Sequence, residues 1–245
     1  MTAGLAASVS AQPPIPVTVT DVTDWSTTPV EAVDANLPLL GYNGGVYAGI
    51  NTLSVYNGIS TTVYNGFCID PFHWSVGGPV SGYEEVSLFS APKSPGTLNA
   101  ATANEIADLW EEYYSPTMSS PSAAGLQIAI WELVSSNAVA TGQLPAADAF
   151  SLAAGQSDYG ASADLASLET YTGPEANVMA LTGPGQDYVI DSVPDAGGTF
   201  IMLALTLIAI VLARPAIIKN AGQMRQAQRI PVNRREQVWG VRIQR

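Results

Sequence analysis

Apolar and polar positions change period twice along this 245-residue chain, and the changes mark out its parts. Residues 12–30 are rich in proline, threonine and valine and read as an extended leader or first strand. From 34 to 74, short runs such as residues 46–50 and 53–56 have strand character. Three Tyr-Asn-Gly triplets, at 42–44, 56–58 and 64–66, are expected to form tight hairpin turns, because Asn and Gly both tolerate positive φ. The third would put Cys68 just past a turn, on the strand Phe67-Cys68-Ile69-Asp70. Residues 84–90 predict a further strand, stopped by Pro92 and Pro95.

From residue 97 the period becomes helical. Ile106, Leu109, Trp110 and Tyr113 share one face of a helix over 98–114, with acidic residues opposite. Ser120-Pro121 is a sound helix start, and the helix is expected to run through Leu126, Ile130, Leu133 and Val134 to about Asn137. Gln127 and Trp131, four residues apart, fall on one face of it. Residues 144–154 and 162–168 predict two further short helices, and 178–181 and 188–193 return to strand character. The pattern is α+β: a β-barrel or sandwich-like sheet with a helical insert.

Charge sets the C-terminal part of the chain apart. Lys93 is the only one of nine basic residues before position 196, whereas twenty of the 21 carboxylates lie there. The first part therefore carries −19 and the last part +7, within a net charge of −12. Between them, residues 196–213 carry no charge, and at about 1.5 Å per residue a helix of that length spans roughly 27 Å, close to a bilayer core of about 30 Å. A buried core helix is the alternative, but the sign of the charge reverses across this segment. It is expected to be a single transmembrane helix with the basic tail, 214–245, on the cytoplasmic side and the acidic part outside. Residues 1–11 read as the remnant of a signal peptide, with Val9-x-Ala11 fitting a small-residue cleavage site. That leaves 12–34 as leader, 35–192 as the domain, 193–213 as linker and membrane helix, and a tail that can lie on an anionic inner leaflet. No recognised nucleic-acid module accompanies the tail's charge.

One cysteine in the exported part excludes an intramolecular disulfide, so Cys68 is a thiol that is reactive, masked or paired with another chain. A thiol and a carboxamide can condense, with loss of ammonia, into an internal thioester, and Gln127 is the candidate partner. Phe67, Phe72, Trp74 and Trp131 can wall such a bond from water, and Asp70 or His73, the only histidine, can assist proton transfer. The bland alternative is that Cys68 is a buried small hydrophobe and Trp131 plain core. No metal-ligating cluster, cofactor motif or phosphate-cradling glycine loop is present.

Phe-Cys-Ile-Asp with, further along the chain, Leu-Gln-Ile-Ala-Ile-Trp-Glu resembles the thioester domains of bacterial surface adhesins. That resemblance implies Cys68 as thiol, Gln127 as acyl donor, Trp131 in the surrounding pocket, and a β fold with a helical insert over roughly residues 35–192. It further implies a covalent adhesin that acylates an amine-bearing surface or matrix partner in single-turnover chemistry, and not a turnover enzyme. A second likeness lies at Val193-Pro194-Asp195-Ala196-Gly197, which with the apolar segment and Arg214 resembles VPDSG-CTERM signals, relatives of PEP-CTERM. It implies an inner-membrane precursor sorted by an exosortase-type enzyme to the cell surface or matrix. Ala196 stands where those signals have serine, and the 32-residue tail is longer than their few arginines. Two other functions stay in view: a passive surface or matrix protein without a thioester, and a Cys68–His73 hydrolase or transferase.

Overall fold

The computed structural model describes residues 16–92 and 95–192. The segment read as a signal-peptide remnant, the Val193–Gly197 motif, the apolar segment 196–213 and the tail 214–245 lie outside those residues. Among the described residues no helix is long and apolar enough to cross a membrane.

The fold is α+β, with a closed six-stranded barrel at its centre. Its strands are β1 (Pro16–Asp21), β4 (Asn51–Tyr56), β5 (Thr61–Cys68), β9 (Tyr188–Asp191), β8 (Val178–Thr182) and β6 (Pro79–Ser87), in that order round the barrel, each antiparallel to its neighbours. Closure removes the exposed edges that an open sheet would present. Two excursions leave it. Between β1 and β4 the chain makes the hairpin of β2 (Val30–Leu37) and β3 (Tyr42–Gly49). Between β6 and β8 it makes α1 (Ala100–Tyr113), α2 (Ser120–Ala140), the two-residue β7 (Ser151–Leu152) and α3 (Ala161–Ser167). β7 adds to β2, giving a second sheet of order β3-β2-β7.

The segment read as a leader is part of this domain. Val17 and Val19 alternate with polar neighbours and are buried, so residues 16–21 behave as any half-buried strand does and fill a place in the barrel. The domain thus begins well before residue 35.

The helices start where capping chemistry puts them. Asn99 accepts from the Thr102 amide at the head of α1, and Ser119 from the Ser122 amide at the head of α2, with Pro121 in the first turn. α2 has no polar face through its middle: every residue from 123 to 131 is buried. It touches α1, α3, β2, β3 and β5, which makes it the central element of the domain.

Three expectations are corrected. Of the Tyr-Asn-Gly triplets, only 56–58 turns the chain: the Asn57 side chain accepts from the amides of Ile59 and Ser60, and Gly58 has φ 89°. Residues 42–44 lie inside β3, because Pro38 starts a 3-10 turn and Gly41, at φ 62°, completes the reversal before they are reached. Residues 64–66 lie inside β5. There glycine serves close approach, since a Cβ on Gly66 would stand 2.8 Å from the Val189 carbonyl oxygen across the ladder. Cys68 consequently ends a long strand instead of standing just past a turn. Residues 144–154 also fail to form a helix. Pro145 precedes a single 3-10 turn, and the amides of Phe150 and Ala153 go to Ser135 Oγ and the Asp34 carbonyl, which ties this stretch to α2 and β2.

Candidate functional site

Cys68 is the last residue of β5 and faces Tyr188 of β9. On its other side β4 has already ended, for Asn51, its first residue, pairs with Gly66. The main chain of Cys68 is thus left with a donor and an acceptor that no strand serves. Gln127 of α2 serves both: Cys68 N donates to Oε1 at 2.9 Å, and Nε2 donates to the Cys68 carbonyl at 2.7 Å. The carboxamide acts here as a surrogate peptide group. Cys68 and Gln127 are 2% and 1% exposed, so the pairing is sealed within the core.

The arrangement has chemical consequences. The Cys68 N–H polarises the Gln127 carbonyl, which makes its carbon more electrophilic and would stabilise negative charge arriving on the oxygen. The sulfur accepts from the Asp70 N–H at 3.2 Å. Burial first, and then the charge of Asp70, push the thiol far above its ordinary pKa, while the Trp131 indole N–H and the Asp70 amide pull it down. Trp131 Nε1 is itself buried without a hydrogen-bond partner, so it faces the sulfur as an uncommitted donor. A thiolate is costly here, whereas a neutral thioester would bury without a charge penalty.

Beside Cys68 opens a cavity of about 220 Å³ whose walls include Trp131, His73, Trp74, Trp25 and Tyr47. Trp25 and Tyr47 stack on each other with ring centres 4.9 Å apart, and Trp74 meets Tyr42 edge-on at 5.0 Å. Trp25, Tyr47 and Trp74 are all substantially exposed, forming an aromatic rim to a buried floor.

Of the residues expected around the thiol, Trp131, His73 and Trp74 line this cavity. Phe67 does not. As the neighbour of Cys68 on a strand it points the opposite way, where it meets Trp110 and Tyr114 edge-on. Asp70 lies beneath the wall, 2% exposed. Its Oδ2 is 2.7 Å from His73 Nδ1, and its Oδ1 accepts from the Phe72 amide at 3.1 Å. Burial, with a further push from Asp187, raises the Asp70 carboxyl, and His73 opposes the shift.

Sequence reasoning missed the loop before β9. Gln186 lines the cavity and its Nε2 donates to the carbonyls of Asp70 (3.4 Å) and His73 (3.3 Å). Asp187, buried, accepts from the Gly183 amide through Oδ1 and from the Ile69 amide through its carbonyl. Gly183-Pro184-Gly185 marks a turn in the sequence, but only barrel closure sets it against Asp70. Among the described residues no cluster of His, Cys, Asp and Glu could hold a metal ion.

The carboxyls as a set make a prediction. Asp70, Glu105, Asp108, Glu132, Asp164 and Asp191 are all raised, chiefly by desolvation, Asp164 to about 6, while Asp24 and Asp158 are lowered by hydrogen bonds from neighbouring serines. A carboxyl raised in the fold contributes stability that is present below its unfolded value, near 3.8 for Asp, and is lost as pH climbs through its folded value. Protonation also relieves self-repulsion in an acidic domain. The thermal midpoint is therefore expected to rise as pH falls from about 7 to about 5. A midpoint that falls over that window would show that the raised carboxyls do not govern the fold's pH response.

No family model, no curated protein and no solved structure matches this chain.

Proposed function

We propose that this is an exported surface or matrix protein in which Cys68 and Gln127 condense to an internal thioester that then acylates an amine of a partner. The observation that carries the reading is the Gln127 carboxamide held by two hydrogen bonds against the main chain of the only cysteine, beside a cavity open to solvent at an aromatic rim. The condensation is balanced: sulfur bonds to Cδ of Gln127, the C–N bond breaks, and the thiol proton leaves with the nitrogen as ammonia. Attack by an amine forms an amide, breaks C–S and returns the thiol. A Cys-His enzyme would want a lowered thiol pKa and an imidazole on the sulfur. Here burial raises the thiol, and the group that donates to its sulfur is the Asp70 amide, which favours the trap over the hydrolase. The sorting half of the reading is supported by sequence: Val193-Pro194-Asp195-Ala196-Gly197, the uncharged segment and the basic tail together call for an inner-membrane precursor and an exosortase-type partner.

The intact mass of the purified chain, beside a Cys68→Ala control, tests the bond. The parent alone is expected to be lighter by one ammonia, to take up one methylamine, and then to release a titratable thiol. Full mass with a thiol that titrates only on unfolding would leave Cys68 as ordinary core and the protein as a passive surface component.

A further inference from the structure

Resting on that thioester reading, we propose that the Asp70–His73 pair is the proton-handling device of the site, with His73 taking the proton from the incoming nucleophile. Three placements converge on it. The imidazole lines the same cavity as Cys68 and is half exposed, so its free nitrogen can meet a molecule entering from solvent. Its Nδ1 is fixed at 2.7 Å from a buried carboxylate, which leaves Nε2 as the nitrogen that exchanges protons. The segment that carries it is clamped: Asp70 N–H on Cys68 Sγ, Phe72 N–H on Asp70 Oδ1, and Gln186 Nε2 on the carbonyls of both Asp70 and His73. A surface histidine with no task would not need that support.

In the acylation step the amine nitrogen bonds to Cδ of Gln127, and its proton passes to His73 Nε2. The C–S bond breaks, with its electron pair going to Cys68 Sγ between the Asp70 N–H and the Trp131 indole. The proton held by His73 then neutralises the sulfur, giving amide and thiol with nothing left over. The titratable groups round the pair are Asp70 on its own segment, Cys68 on β5, Tyr83 on β6, Asp187 and Tyr188 at β9, and Tyr47 on β3; α2 presents only uncharged Trp131. Asp187 adds negative charge near Asp70 and pushes its carboxyl up.

The test measures methylamine uptake by mass on the full chain, as wild type, His73→Gln and Asp70→Asn, with rates corrected for the unprotonated amine. Wild-type corrected rates should depend on pH and reach a plateau. His73→Gln should be flat with pH and about tenfold to a hundredfold slower at the plateau. Asp70→Asn should also be slower at the plateau, because the ring has lost the carboxylate that holds its Nδ1. A His73→Gln chain that still shows the ammonia deficit yet reacts at the wild-type rate with the wild-type profile overturns the proposal and leaves the thioester standing. A wild type with no deficit overturns the thioester reading, and the proposal with it. If His73→Gln fails to form the bond, the wild-type profile decides: a corrected rate that does not change with pH rejects the pair as the base.

Discussion

With the proposed Cys68–Gln127 thioester in place, methylamine is expected to lower the domain's stability by about 2–4 kcal/mol, without any mutation. The two residues are 59 apart in sequence, so a bond between them closes a long loop and restricts the unfolded chain far more than the folded one. For a domain of this size that is a fall in thermal midpoint on the order of 10 °C. Cys68→Ala should show the same fall before any treatment, and methylamine should then change nothing. Thermal unfolding of the four samples, parent and variant with and without methylamine, makes the comparison. Equal midpoints for treated and untreated parent would mean that no cross-link was there to lose.

Phe67→Ala is expected to cost about 3–5 kcal/mol, the usual range for emptying a buried aromatic site. The ring is fully buried and wedged edge-on against Trp110 and Tyr114 of the α1 segment, which leaves little freedom for neighbours to collapse into the space. The loss should reach the site as well. Phe67 pins the strand on one face while Cys68 occupies the other, so loosening the first lets the second fray from Gln127 and from β9. Denaturant unfolding should report the energy, and an unreacted Cys68 should become faster to label in the native buffer. A cost below about 1 kcal/mol would mean that this edge-on cluster does not hold β5 in place.

The helical half was the more readable. Ser120-Pro121 is a local signal whose meaning does not depend on the rest of the fold, and α2 begins there, while α1 begins at Ala100, two residues after the expected start. The middle of α2 is apolar but for Gln127, and it is buried on every side. The strands were harder. Asn-Gly is equally good at turning a chain and at letting two strands come close, and the sequence around Gly66 does not separate these uses. Val189 on the far strand separates them. Cys68 and Gln127 could be paired from their frames, but the manner of their meeting could not. That Gln127 replaces a missing strand partner is a result of where β4 stops. Trp25, Tyr47 and Gln186 come from a loop, a second sheet and a turn before β9. They converge only because the chain twice leaves the barrel and returns.

The order of the barrel strands bears on the life of the chain before it is folded. Cys68 sits against Tyr188, on the last of the described barrel strands to be made, and β9 must arrive before β5 has its partner on that side. Throughout synthesis from N- to C-terminus, the thiol and its carboxamide are therefore present while the strand that shelters one of them is still missing. During that interval an oxidant or a foreign disulfide that reaches the bare sulfur would block the proposed condensation. The protein's window of vulnerability is thus its own assembly, and its protection is set by how quickly the final strand docks.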